Sequence, residues 1–230
     1  MIDGVIFDKD GTLFDFRRSW GGWAETLLQT LARDAQHATV MARAIGYDMP
    51  TKTFAPDSPV IAATAADIAA ALAPHLPGQT EAGIAQQINA AAAHAVMVPA
   101  VPLRPLLESL RASGLRIGLA TNDTEVPARA HLAAHDLTEL FDFIAGYDSG
   151  HGAKPGPGMC LAFARQTGLN PARIAMVGDS LHDLHAGRAA GMVCIAVLTG
   201  IATEDDLAPH ADVVLPDIGA LTGWLARHAA

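Results

Sequence analysis

The sequence predicts an α/β doubly wound parallel sheet carrying an inserted α-helical cap subdomain. Three observations lead there. Short, almost continuously apolar runs recur along the chain and end in polar or glycine-rich turns. Segments with helical spacing lie between them. One long stretch breaks the alternation and reads as helical throughout.

The apolar runs come first. Val5-Ile6-Phe7 stops at Asp8, Arg116-Ile117-Gly118-Leu119-Ala120 at Thr121, and Phe143-Ile144-Ala145 at Gly146. Ile174-Ala175-Met176-Val177 stops at Gly178-Asp179, Cys194-Ile195-Ala196-Val197 runs into Leu198-Thr199-Gly200, and Val213-Val214-Leu215 follows. Runs that do not alternate with polar residues suit strands buried on both faces of a parallel sheet. Leu103, Leu106, Leu107 and Leu110, closed by Gly114, have the spacing of one helical face, and Leu161, Ala162 and Ala164, closed by Gly168, suggest another. Strand and helix in alternation imply the doubly wound architecture, whose ligands bind beyond the carboxyl ends of the strands.

From about Phe16 to Val98 no convincing strand is seen. Trp23, Leu27, Leu28, Leu31, Ala35 and Ala38 recur at helical spacing, and Met41 and Ile45 extend that face. Further helical stretches are expected near Ile61–Leu72 and Ile84–Val96, separated by Pro- and Gly-rich loops such as Pro74-His75-Leu76-Pro77-Gly78. The expected division is a core of residues 1–15 and 99–230 with a cap of residues 16–98.

Composition excludes several classes. Half of the 230 residues are apolar and 17% are charged, which suits a packed globular chain. The net charge is −9 and the pI about 5.4, and Arg17-Arg18 is the only adjacent basic pair, so no nucleic-acid partner is expected. No apolar stretch reaches the ~18 residues that span a bilayer, so no membrane partner is expected. The chain opens almost at once on a strand, which argues against a signal peptide, and a cytoplasmic location is expected. The 2 cysteines, Cys160 and Cys194, form no CxxC pattern, and Cys194 lies in an apolar run as an inert buried thiol would.

The chemistry concentrates at strand ends. Asp8-Lys9-Asp10-Gly11-Thr12-Leu13 sets two carboxylates one residue apart, so that one can attack while the other moves a proton. A calcium loop is excluded because its further oxygen ligands and closing Glu are absent. Gly178-Asp179-Ser180-Leu181-His182-Asp183 adds two more carboxylates, four positions apart. Thr121-Asn122 and Lys154-Pro155 supply a hydroxyl, amides and an ammonium suited to phosphoryl oxygens. Gathered at one sheet edge, Asp8, Asp10, Asp179 and Asp183 would resist joint ionisation, and a hard cation such as Mg²⁺ would relieve that.

The order DxDGT, TN, KP and GDSxxD resembles the four motifs of the haloacid dehalogenase-like (HAD) superfamily. The segment Asp183-Leu184-His185-Ala186-Gly187-Arg188-Ala189-Ala190-Gly191 is similar to its phosphoglycolate phosphatase-like branch. The resemblance implies a Rossmann-like core with a helical cap and a Mg²⁺-dependent phosphatase acting on a small phosphorylated metabolite, with phosphoglycolate the first guess. It implies that Asp8 attacks phosphorus and that Asp10 protonates the leaving alcohol and then activates water. It further implies that Thr121 and the Asn122 amide hold the phosphoryl group and that Lys154 neutralises it. The metal would be ligated by Asp8, the Asp10 carbonyl and Asp179, with Asp183 joining directly or through water.

Lys9 departs from the resemblance, where an apolar residue is more usual; a side chain pointing away from the site is the plain reading. Arg17 and Arg18 are open between a substrate clamp and a solvated hinge charge. Trp20 and Trp23 are expected to pack the cap rather than line the pocket, and Lys52 to lie on the surface. His182 and His185 suit positions at the surface or behind the metal ligands better than a transition-metal site. Thr203-Glu204-Asp205-Asp206 reads as a helix start.

Three other chemistries use the same fold. A haloacid dehalogenase would lack Asp10's counterpart, and a phosphonatase would need a cap lysine, for which only Lys52 is available. A sugar-phosphate mutase remains the alternative. A phospho-aspartate signalling module is disfavoured, because receiver domains order their motifs differently and carry no cap. Cap helices and Ala-rich faces are compatible with a homodimer.

Overall fold

A computed structural model describes residues 1–227 of the chain, with Ala62 described by its backbone alone. Six strands form one parallel sheet: β1 (Gly4–Phe7), β4 (Arg116–Ala120), β5 (Phe143–Ala145), β6 (Ile174–Gly178), β7 (Val193–Val197) and β8 (Val213–Leu215). Their order across the sheet is β5-β4-β1-β6-β7-β8. β1 therefore lies between β4 and β6, pairing Phe7 with Leu119 on one side and with Val177 on the other. The chain winds outward from β1 to β5, then crosses back to β6 and winds the other way. This reversal opens a crevice beyond the carboxyl ends of β1, β4 and β6.

The strands carry no alternation because both faces are covered. Val5, Ile6 and Phe7 are all fully buried, as are Ala175, Met176 and Val177. The helices α6 (Leu103–Ala112), α7 (Glu125–Ala134), α8 (Gly158–Thr167) and α9 (Leu181–Ala189) connect them, followed by the short α10 (Glu204–Leu207) and α11 (Leu221–Arg227). The four leucines expected on one face of α6 are all buried there. Each contributes on the order of 1.5–3 kcal/mol of transfer free energy. Gly168 ends α8 in the left-handed conformation at φ +70°, and Thr203 starts α10 through a capping box with Asp206.

Between β1 and α6 lie five helices: α1 (Phe16–Leu31), α2 (Ala35–Ala44), α3 (Pro59–Ala62), α4 (Ala65–Leu72) and α5 (Glu81–Ala92). The helical face read as continuous from Trp23 to Ile45 is broken, because Asp34 is extended and accepts the His37 amide at 2.7 Å as the cap of α2. The stretch Ile61–Leu72 is likewise two helices, with Thr64 and Asp67 forming the capping box of α4. The third, expected to reach Val96, ends at Ala92. The expectation of no strand in this region also needs correcting. β2 (Tyr47–Asp48) and β3 (Thr53–Phe54) form an antiparallel hairpin, too short for any periodicity to register. Neither joins the six-stranded sheet. One apolar cluster continues from Val5 and Phe7 through Phe16, Trp20 and Leu28 to Ile68 and Ile84.

Candidate active site

The loop after β1 brings Asp8, Asp10 and Thr12 to the crevice. Its turn requires Gly11, whose φ is +88° and where a side chain would collide with the Asp179 carboxylate. Gly200, after β7, approaches the same carboxylate from another side and leaves no room for a Cβ. Asp179 is thus held between two glycine backbones, with Thr12 Oγ1 at 3.4 Å.

Lys154 is buried at the centre. Its Nζ donates to Asp8 Oδ1 at 2.5 Å, to Asp183 Oδ1 at 2.6 Å and to the Ala120 carbonyl at 2.8 Å. Its backbone is clamped by Asn122, whose Nδ2 donates to the Lys154 carbonyl at 3.0 Å and whose Oδ1 accepts the Lys154 amide at 2.8 Å. Burial opposes the ammonium charge, but Asp183 and Asp8 outweigh it and hold Lys154 above the usual lysine range. The other oxygen of Asp183 accepts from Ser180 N at 3.0 Å and Ser180 Oγ at 2.6 Å. Asp183 therefore caps α9 and meets Lys154 with the same carboxylate. The capping role that the start of the next helix allowed is thus present in the structure.

Asp8, Asp179 and Asp183 each present one carboxylate oxygen, all within 4.8 Å of one another, and all three residues are buried. Burial is the main force raising Asp8 to about 7, helped by Asp183 and Asp10 and opposed by Lys154. Burial, with Asp8 and Asp183 beside it, pushes Asp179 well above the carboxylate range. Three carboxylates against one ammonium leave two negative charges when all are ionised. An all-oxygen donor set with that deficit fits a hard divalent cation.

Asp10 faces a different neighbourhood. Lys9, fully buried, puts Nζ 2.8 Å from Asp10 Oδ2 and 3.0 Å from Asp10 Oδ1, and 3.1 Å from Asp123 Oδ2. It also donates to His131 Nδ1 at 3.0 Å. His131 Nε2 lies 2.7 Å from the Ala92 carbonyl, which can only accept. His131 is therefore the neutral Nε2–H tautomer. Burial first, and then Lys9, pulls its pKa down to about 4. Trp20 Nε1 completes the set, donating to Asp10 Oδ1 at 2.8 Å. Lys9 does not point away from the site; it lies beneath it and holds the second aspartate.

A cavity of about 620 Å³ of atom-free space, partly open to solvent, lies over these groups. Asp8, Asp10, Thr121, Asn122, Lys154, Asp179 and Asp183 all line it. Thr121 Oγ1 accepts the Asp123 amide at 3.0 Å, and its hydroxyl can still donate. Arg17 and Arg18 are not brought to it. α1 buries Phe16, Ser19 and Trp20, so residues 17 and 18 fall on its outer side and are exposed; Arg18 lines a separate groove. Trp20 and Trp23, expected to pack the cap, do line the cavity, stacked edge to face at 4.7 Å. Cys160 and Cys194 are buried, as expected of Cys194, and Lys52 is exposed and paired with Glu25. Asp123 and His131 went unread in the sequence. Asp123 follows Thr121-Asn122 directly, and a charged Lys9 two residues past a buried strand was the signal that carboxylates must meet it.

A switch-point site of this kind, with paired aspartates after the first strand and a helical insertion above it, defines a haloacid dehalogenase-like hydrolase. The family model for haloacid dehalogenase-like hydrolases matches residues 2–191, and the chain belongs to that family. "Probable phosphatase IndB" of Dickeya dadantii is 31% identical over 226 residues, covering 98% of this chain and 93% of that protein. The phosphoglycolate phosphatase of Rhodospirillum rubrum is 30% identical over 237 residues, covering 98% and 91%. Together these make the chain a phosphatase. Among solved structures, the β-phosphoglucomutase of Clostridium difficile shares the fold, with a TM-score of 0.67 at 18% identity over 99% of this chain and 96% of that one. Among the described residues no helix is long and apolar enough to cross a membrane.

Proposed function

We propose that the chain is a Mg²⁺-dependent phosphomonoesterase that acts on a small phosphorylated metabolite through an aspartyl-phosphate on Asp8. The observation that carries this reading is the geometry around Lys154, which pins Asp8 at 2.5 Å at the cavity floor beside the carboxylates of Asp179 and Asp183. Asp8, Asp179 and Asp183, with the Asp10 carbonyl, would hold Mg²⁺, and the ion would supply charge neutralisation for the phosphoryl oxygens and the carboxylates. The segment 16–98 is proposed as the cap; supporting this, its helices and hairpin stay outside the main sheet.

In the first half-reaction an Asp8 oxygen forms a bond to phosphorus while the bond from phosphorus to the alcohol oxygen breaks. Asp10 gives its proton to the departing oxygen. In the second, water attacks phosphorus, Asp10 takes the proton back, and the bond to Asp8 breaks, releasing phosphate and restoring both residues. Thr121 Oγ and the Asn122 amide steady the phosphoryl oxygens, and Lys154 balances their charge. Asp10 suits the proton transfers because Lys9 and Trp20 fix its carboxylate.

The Rhodospirillum relative's name makes phosphoglycolate the first substrate to try. The fold likeness to a mutase favours no second reading. The test is phosphate release from a panel of phosphomonoesters, with Mg²⁺ and with EDTA, by the wild type and Asp8→Asn. Release that needs Mg²⁺ and vanishes in Asp8→Asn supports the proposal; release by Asp8→Asn at the wild-type rate refutes it.

A further inference from the structure

The part of the cavity wall that the helical insertion supplies is apolar. Phe16, Trp20, Trp23, Ile61, Ile68 and Ile88 face the site there. Of these only the two indoles carry a polar atom, and that of Trp20 is bonded to Asp10. The floor, by contrast, presents Asp8, Asp10, Asp123, Asp179 and Asp183. Lys154 is the one lysine or arginine among the described residues that line the cavity, and two of those carboxylates already hold it.

Lys9 and the two nearby arginines do not reach the cavity. Lys9 does not line the cavity and is enclosed by Asp10, Asp123 and His131. Arg17 and Arg18 lie on the outer side of α1. His182 does line the cavity, but it sits close enough to Asp67 of α4 to help hold that carboxyl low, after the hydrogen bonds from Thr64.

A phosphate ester has two parts to place. The phosphoryl group goes to Asp8 and Lys154, so the rest of the molecule meets the insertion's wall. A carboxylate on that part would lose its water against isoleucine and indole faces, with acidic groups as its charged neighbours. Sugar hydroxyls would lose theirs with the unpartnered Trp23 N–H as the one side-chain donor on that wall and no side-chain acceptor. An aromatic ring or a branched alkyl chain would gain by the same burial, and the tryptophan pair offers it ring faces and edges.

Resting on the phosphatase reading above, we propose that the alcohol released by this enzyme is uncharged and apolar, an aryl-alkyl or branched-alkyl alcohol rather than glycolate or a sugar. The apolar wall is then the specificity element, and phosphoglycolate, the substrate in the relative's name, is a poor substrate here.

The test compares benzyl phosphate, 2-phosphoglycolate and glucose 6-phosphate at saturating Mg²⁺. Benzyl phosphate and phosphoglycolate both release a primary alcohol, so leaving-group chemistry does not decide the outcome. The expected kcat/KM for benzyl phosphate exceeds that for phosphoglycolate by about 100-fold, equivalent to about 2.7 kcal/mol. Ile61→Arg, at a half-exposed position of the wall, is expected to narrow that ratio at least tenfold by the order of magnitude of one new ion pair. Equal or better turnover of phosphoglycolate by the wild type overturns the inference and leaves the phosphatase reading intact. So does a ratio that Ile61→Arg leaves unmoved. Failure to release phosphate from any of the three esters, or from a wider panel, overturns both.

Discussion

Replacing Lys9 with methionine removes one positive charge from the interior and leaves the volume nearly unchanged, so no cavity cost is expected. The ammonium lies 2.8 Å from Asp10 and 3.1 Å from Asp123, and it is fully buried. Removing one partner of a buried ion pair typically costs about 3–5 kcal/mol. Here the two carboxylates keep 16% and 11% side-chain exposure, so water and protonation can relieve part of the loss. The expected destabilisation is at the lower end, about 3 kcal/mol. Catalysis should suffer separately. Asp10 keeps its bond from Trp20 but loses the group that fixes its other oxygen, so kcat should fall by about 10–100-fold, or about 1.4–2.7 kcal/mol. KM should hardly move, because Lys9 does not line the cavity. Urea unfolding and steady-state phosphate release on the same preparation measure both effects. The double variant Lys9→Met/Asp123→Asn separates them: neutralising Asp123 should recover stability but not kcat. A Lys9→Met protein that loses under about 1 kcal/mol and keeps its kcat would refute the claim that this lysine positions Asp10.

Three further outcomes follow from the same geometry. Asp8 is raised from the usual 3.8 to about 7, chiefly by burial, so below pH 7 a bound cation must displace its proton. Mg²⁺ affinity, measured by calorimetry, should fall at least tenfold per pH unit below 7, because Asp179, also raised by burial, must give up its proton as well; a flat affinity from pH 5.5 to 7.5 would contradict this. His131 is lowered from 6.5 to about 4 by burial and by Lys9. The unfolded chain takes up a proton near 6.5 that the folded one refuses until about 4, so this histidine removes up to about 3 kcal/mol of stability as the pH falls across that window. His131→Gln should show a correspondingly smaller loss between pH 7 and 4.5, and an unchanged loss would remove the histidine from the account. Trp20→Phe keeps most of the ring but deletes the 2.8 Å bond to Asp10. A charge-assisted hydrogen bond contributes about 1.5–3 kcal/mol, so kcat should drop at least tenfold, whereas an unaltered kcat would show that the indole only fills space.

The strands and the residues at their ends were legible because that information is local. A buried parallel strand shows as a short apolar run, and Asp8, Thr121 and Asp179 each follow one directly. The six-stranded core and the inserted helices could therefore be read, and Asp8, Asp10, Thr121, Asn122, Lys154, Asp179 and Asp183 converge on one cavity. What escaped depends on distance or on very short elements. Helix breaks at Asp34 and Thr64 are set by single capping residues within a continuous apolar pattern. The hairpin of Tyr47–Asp48 with Thr53–Phe54 is two residues per strand. Lys9 finds His131 across 122 positions of sequence, and no local pattern announces that meeting. For Arg17 and Arg18 their place in the chain left clamp and solvated charge open, and the helical phase set by Phe16 and Trp20 puts them on the outer side of α1.

The proposed hydrolysis turns on Asp8 carrying the phosphoryl group. Asp10→Asn should allow attack by Asp8 on an activated ester yet slow the discharge of the intermediate, since the water then lacks its base. Acid quenching followed by borohydride reduction and peptide mass spectrometry locates an aspartyl-phosphate by its conversion to homoserine. Conversion is expected at Asp8 alone, dependent on both Mg²⁺ and substrate. Conversion at Asp179 or Asp183, or full turnover with no conversion at any aspartate, would contradict it.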